Sequence, residues 1–131
     1  MQSSENPSTL SQSVLYAEDA QVITAHKTST ATKEEISKYI KEVFGLAYPE
    51  AIAIFTCESG LNPYAYNPET KAKERGITRY SSCGVAQLNS SECKPDGSIL
   101  FDYKTNIERA YEMYQARQWK PWYNCSKKLG L

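Results

Sequence analysis

Between positions 33 and 44 the residues Ile36, Tyr39, Ile40, Val43 and Phe44 recur three and four apart, the spacing that gathers apolar side chains on one helical face. Thr32 with Glu35 three residues on forms a capping-box signature before them, and Gly45 follows, so the pattern predicts an amphipathic helix that stops at the glycine. A second helix is predicted from about Pro49, suited to a first turn, through Ala51, Ile52, Ala53, Ile54, Phe55, Thr56, Cys57 and Glu58. Its middle is apolar on nearly every face, the mark of a central buried helix, and Gly60, Asn62 and Pro63 end it. From Asn62 to Asp96 the chain is rich in Asn, Pro, Gly, Ser and charge. A β-prone stretch from Gly84 to Asn89 predicts a small hairpin inside an irregular lobe. Thr105 and Glu108 offer another capping box for a helix with Ile107, Ala110, Tyr111 and Tyr114 on its buried stripe, reaching about Arg117. The aromatic stretch from Trp119 to Cys125 predicts a short terminal turn or helix. The fold class expected is mainly α, one domain with a small irregular or hairpin lobe.

Residues 1 to 31 break the pattern. They are mostly Ser, Thr, Gln, Glu, Asn and Lys, and account for a hydrophobic fraction of only 40% over 131 residues. They read as a polar tail or linker, with Val14, Leu15, Tyr16, Val22 and Ile23 able to form a short strand or docking segment. The domain proper is expected over 32–131. Fifteen basic and fifteen acidic side chains cancel, which disfavours nucleic acid or an anionic membrane as partner. No apolar run has the roughly 18 to 20 residues needed to span a bilayer, and the segment after Met1 has neither a basic n-region nor an apolar h-region. A monomer is expected.

Cys57, Cys83, Cys93 and Cys125 include no CxxC, and the one histidine, His26, lies in the polar N-terminal stretch. Zinc is therefore disfavoured, and four such cysteines in a small domain read as two disulfides, bonds that persist outside the cytoplasm. An extracytoplasmic location is expected, reached by another export route or by a leader outside this sequence.

Glu58 stands where an apolar helix meets a loop, beside a cysteine. Partial burial and the negative end of the helix dipole both disfavour its ionised form, so a raised pKa is expected. A carboxylic acid still protonated near neutral pH can donate a proton to a glycosidic oxygen. A glutamate in a last helical turn can equally point into solvent, and on local physics alone that alternative stands.

Four stretches bear on the choice: AIFTCESGLNPYAYNP, SSCGVAQLNSSEC, LFDYKTNIERAYEMY and WKPWYNC. Together they resemble the lysozyme-like superfamily, most closely the soluble lytic transglycosylase type of domain, over roughly Lys33 to Cys125. The shared features are Glu58-Ser59 closing a buried helix, an Asn-rich loop from Asn62 to Asn67, Gly84 to Gln87 as Gly-x-x-Gln, Asn106-Ile107 at a helix start, and the aromatic run Trp119 to Tyr123. Each is weak alone, and their order and spacing give them weight. The resemblance implies Glu58 as catalytic acid, Ser59 fixing its surroundings, and Gln87 and Asn89 lining a saccharide groove. It also gives Gly84 a close backbone approach to sugar. The chain is rich enough in Tyr and Trp for some rings to stack on sugar faces, and Tyr66 and Tyr123 are the candidate groove aromatics, with Tyr111 and Tyr114 in the core. The substrate it implies is the glycan strand of peptidoglycan, with no cofactor. A cysteine directly before the glutamate and another after a Trp-Pro segment further resemble resuscitation-promoting factors, which implies the pairs Cys57–Cys125 and Cys83–Cys93.

Retaining and inverting glycosidases commonly use two carboxylates. Where c-type lysozymes carry the second, this chain has Ser82, and no acidic residue stands between Arg75 and Gln87. That favours the single-acid mechanism of lytic transglycosylases, with lysozyme-type hydrolysis the alternative should Glu69, Glu74 or Glu92 reach the cleft. A glycan-binding module without turnover, or a secreted scaffold binding protein through its tyrosines, are the readings outside catalysis.

Overall fold

The computed structural model describes residues 31–69 and 80–131. The expected tail or linker before them lies outside the described residues, as do Glu74 and Arg75. Helix α1 spans Lys33–Phe44, opened by both halves of the Thr32–Glu35 capping box: the Glu35 amide donates to Thr32 Oγ1 at 3.1 Å and the Thr32 amide to Glu35 Oε1 at 2.9 Å. Ile36, Ile40 and Phe44, one per turn, are buried. A 3₁₀ turn over Gly45–Ala47 leads to α2, Tyr48–Ser59, with Pro49 in its first turn and Gly60 left-handed at its end, φ +66°. The burial expected all round α2 is confined to Ala51, Ile54 and Phe55. Ile52 and Ala53 are half-buried and Thr56 is exposed, because neighbours cover only part of the helix circumference.

Three two-residue strands follow: β1 (Tyr66–Asn67), β2 (Ser82–Cys83) and β3 (Leu88–Asn89), antiparallel in the order β1-β2-β3. Tyr66 faces Cys83 and Asn67 faces Ser82, while Ser82 and Cys83 face Asn89 and Leu88. The stretch expected to be β-prone is strand only at Leu88–Asn89, and Gly84 to Gln87 form the turn. Their amides point elsewhere: Gly84 to the Ala65 carbonyl at 2.8 Å, Gln87 to the Gly84 carbonyl at 3.0 Å, and Ala86 to the side chain of Asn106 at 2.8 Å.

Helix α3, Tyr103–Arg117, begins earlier than the Thr105–Glu108 pattern predicts. Asp102 caps it, its carboxylate accepting from the Thr105 amide at 3.0 Å and from the Thr105 hydroxyl at 2.7 Å. Glu108 accepts a hydrogen bond from the Tyr39 hydroxyl, joining α3 to α1, and this contact helps push the phenol up to about 12. A 3₁₀ turn over Lys120–Trp122 then leads to α4, Tyr123–Leu129.

The two lobes of the core meet at Asn106. Its side chain is fully buried and every hydrogen-bonding site a carboxamide nitrogen has is used: Nδ2 donates to the Cys83 carbonyl at 2.9 Å and the Leu100 carbonyl at 3.0 Å, while Oδ1 accepts from Ala86. Gly84, at φ +83°, is held against it so closely that a Cβ there would lie 2.2 Å from Asn106 Nδ2 and 2.5 Å from the Leu100 oxygen. On the other side, Phe44, Phe55, Trp119 and Trp122 form an aromatic cluster with half-buried Tyr111 and Tyr114, with Phe44 and Trp119 stacked at 5.9 Å. Each buried indole N–H has a partner, Glu50 Oε1 at 2.8 Å for Trp119 and the Ala86 carbonyl at 2.9 Å for Trp122.

Disulfides join Cys57 to Cys125 and Cys83 to Cys93, with Cα separations of 6.0 and 5.7 Å. Spanning 68 and 10 residues, they contribute about 4 and about 3 kcal/mol on a chain-entropy view.

Asn106→Ala strands a buried amide and two buried carbonyls, and is expected to lower unfolding free energy by about 3–5 kcal/mol. Gly84→Ala is expected to destabilise the fold as well, by forcing Asn106 off its partners. Urea unfolding followed by circular dichroism measures both, as a lower midpoint at unchanged slope.

Candidate active site

Glu58 sits in the last turn of α2, where the helix leaves the core and its side chain is half-buried. It lines a 320 Å³ cleft whose opposite walls come from the hairpin and the C-terminal segment. The hairpin supplies Ser82, Gln87 and Asn89; the C-terminal segment supplies Pro121, Trp122, Tyr123, Asn124 and Cys125. Burial alone pushes the Glu58 carboxyl up to about 7. Among the described residues no cation lines the cleft to hold the carboxylate charged, and no other carboxylate lines it; Glu74 lies outside them.

The walls are positioned by backbone contacts. Ser59 donates to the Val85 carbonyl at 2.6 Å and its oxygen accepts from the Asn62 amide at 3.2 Å, which fastens the end of α2 to the hairpin turn. Gln87 has a left-handed backbone, φ +53°, and its Nε2 donates to the carbonyls of Ala65 and Gly84, both at 3.1 Å. Asn89 spends its Nδ2 in the same way on the Tyr80 carbonyl, with Ser81 and Ser82 oxygens nearby. Both amides are thus anchored through nitrogen, and each retains its oxygen to accept from a ligand. Such a cleft offers one protonatable acid, amide acceptors and aromatic surface. That set suits a neutral ligand carrying many O–H and N–H groups.

Of the residues expected from sequence, Glu58, Gln87, Asn89 and Tyr123 come together here. Ser59 lies behind the cleft wall as a brace. Tyr66 does not line the cleft; its hydroxyl meets Ser81 Oγ at 3.1 Å. The close approach at Gly84 is made by Asn106 and the Leu100 carbonyl inside the protein, which gives this glycine an internal packing role. Glu92 is tied to Arg109 on the surface. Sequence reasoning did not assign Pro121, Trp122 or Asn124 to the site. The Trp-Tyr-Asn run was the available signal, since its aromatics adjoin Cys125, the partner of the cysteine beside Glu58. It also did not assign Asn106 its supporting role, for which a polar residue inside the apolar stripe of α3 was the cue. Among the described residues no group of three His, Cys, Asp or Glu is placed to hold a metal ion.

Comparison of the chain with protein-family models, curated proteins and solved structures finds no match.

The burial of Glu58 has a consequence for stability independent of any reaction. A carboxyl raised from 4.5 to about 7 favours the folded state while protonated, and that contribution is lost as pH rises from about 4.5 through about 7. Glu58→Gln cannot ionise. Its melting temperature is expected to match wild type at low pH, rise above it across this window, and hold a constant lead at higher pH, as read by thermal melts over a pH series.

Proposed function

We propose that this chain cleaves the glycan strands of peptidoglycan, with Glu58 as its single catalytic acid. The observation that carries the reading is a half-buried carboxyl, raised to about 7, that is the sole carboxylate among the described residues lining a cleft walled by amides and aromatic rings. At neutral pH much of it is protonated and able to donate. The sequence resemblance to lysozyme-like lytic transglycosylases points to the same residue, and two disulfides suit a protein working outside the cytoplasm. Among the described residues no helix is long and apolar enough to cross a membrane.

That Glu58 is the lone carboxylate lining the cleft among the described residues, with Ser82 where a second acid would stand, favours transglycosylation over two-carboxylate hydrolysis. Glu58 gives its proton to the oxygen of the MurNAc-β-1,4-GlcNAc bond as that bond breaks. The acetamido oxygen of the MurNAc ring closes onto its own anomeric carbon, taking the place a protein nucleophile would occupy. The Glu58 carboxylate then removes the proton of the C6 hydroxyl, whose oxygen attacks the anomeric carbon and expels the acetamido group, leaving a 1,6-anhydro ring and a reprotonated Glu58. Burial of Glu58 serves both halves, since it keeps the acid protonated before the first step and makes the carboxylate a stronger base for the last.

Digestion of purified peptidoglycan followed by mass analysis of the soluble fragments tests this. Wild type is expected to release 1,6-anhydro-muramyl ends, and Glu58→Gln to release fragments at least about 100-fold more slowly. Reducing ends would make the enzyme a hydrolase, and absence of fragments from several wall types would leave a glycan-binding module. The rate of the first step is expected to fall as pH rises past about 7, following loss of the Glu58 proton.

A further inference from the structure

Tyr123 borders two cavities. One is the cleft of Glu58; the other, of 490 Å³, is lined besides Tyr123 by Gln118, Trp119, Lys120, Ser126, Lys127 and Leu131. The two differ in charge. Among the described residues the Glu58 cleft has no cation in its walls, whereas the second cavity has two lysines and no acidic side chain. Lys120 and Lys127 are both exposed, and neither forms an ion pair among the described residues. Lys127 Nζ stands 5.6 Å from the centroid of the Tyr123 ring, which brings one ammonium to the ridge between the cavities. Tyr123 itself is 62% exposed, so a ligand can pass over it.

We infer that the second cavity receives the acidic peptide stem of a peptidoglycan strand whose sugars lie in the Glu58 cleft, so that the site selects stem-bearing over unsubstituted glycan. The inference rests on the proposed function. A muramyl residue carries its stem through a lactyl ether, and the stem bears free carboxylates; a strand crossing the Tyr123 ridge brings these groups to Lys120 and Lys127. The aromatic wall of Trp119 and Tyr123 accommodates the aliphatic parts of the stem, while Gln118 and Ser126 offer polar contacts to its amides. A neutral chitin-type oligosaccharide fills only the first cavity. Because the net charge of the chain is zero, the attraction is local to these two lysines and sensitive to salt.

Calorimetric titration on the Glu58→Gln background, where ligands survive, compares a peptidoglycan tetrasaccharide bearing peptide stems with the same tetrasaccharide stripped of them. The stem-bearing ligand is expected to bind about 3- to 10-fold more tightly at low salt, a gain typical of two exposed ion contacts. That preference is expected to vanish at about 0.5 M salt, where charges are screened within a few ångströms. Lys120→Gln/Lys127→Gln is expected to remove it too, with affinity for the stripped ligand unchanged. Equal affinities for the two ligands, or a preference that survives both salt and the double substitution, overturns this inference while leaving the proposed function standing. Failure of either ligand to bind overturns the proposed function and the inference with it.

Discussion

The buried carboxamide of Asn106 is the constraint on which the architecture turns. A helix and a hairpin pack poorly when the hairpin is almost all turn, because turn amides and carbonyls that leave water need partners the sheet cannot provide. Asn106 supplies them from α3, accepting from Ala86 and donating to Cys83 and Leu100. That arrangement requires backbone contact at Gly84, where no side chain fits. Ala86 is then held from both sides, since its carbonyl takes the indole N–H of Trp122. The position of the C-terminal wall of the cleft is in this sense set by the same peptide segment that sets the hairpin wall.

The electrostatic state of Glu58 follows from this enclosure. A carboxylate shifted by a neighbouring charge changes its pKa whenever that neighbour moves. Here the cause is burial by a rigid frame, with the Cys57–Cys125 bond one residue from the carboxyl and Ser59 bonded to the hairpin on the other side. An acid tuned by solvent exclusion keeps its proton affinity for as long as the walls stay in place.

What could be read in the sequence was local, and what could not was long-range. The start of α1 rests on Thr32 and Glu35, three residues apart, and both ends of α2 on Pro49 and Gly60, so pattern and propensity suffice. The start of α3 shows the limit. Thr105 and Glu108 have the spacing of a capping box, yet Asp102 competes successfully for the Thr105 amide and Glu108 is claimed by Tyr39, 69 positions away. The Gly84 to Gln87 stretch reads as β-prone but its amides are taken by Ala65 and Asn106. At the site, Glu58 announces itself through its place at the end of an apolar helix, and Gln87 and Asn89 through a motif. Tyr66 carries the same chemistry as Tyr123, but it sits on β1 with its hydroxyl on Ser81 while Tyr123 opens α4 beside the cleft, a difference set by tertiary contacts that local sequence does not show.

The Cys57–Cys125 bond turns the chain from one residue before Glu58 to the end of the cleft wall into a covalent ring. Every described residue that lines the cleft lies on that ring, and α1 lies outside it, contributing Ile36, Ile40 and Phe44 to the core with no crosslink of its own. A single backbone nick anywhere within the ring opens it without parting its two ends, so both halves of the cleft remain joined until the disulfide is reduced. The covalent topology therefore protects the site against cutting, while α1 is held by packing and the Tyr39–Glu108 hydrogen bond.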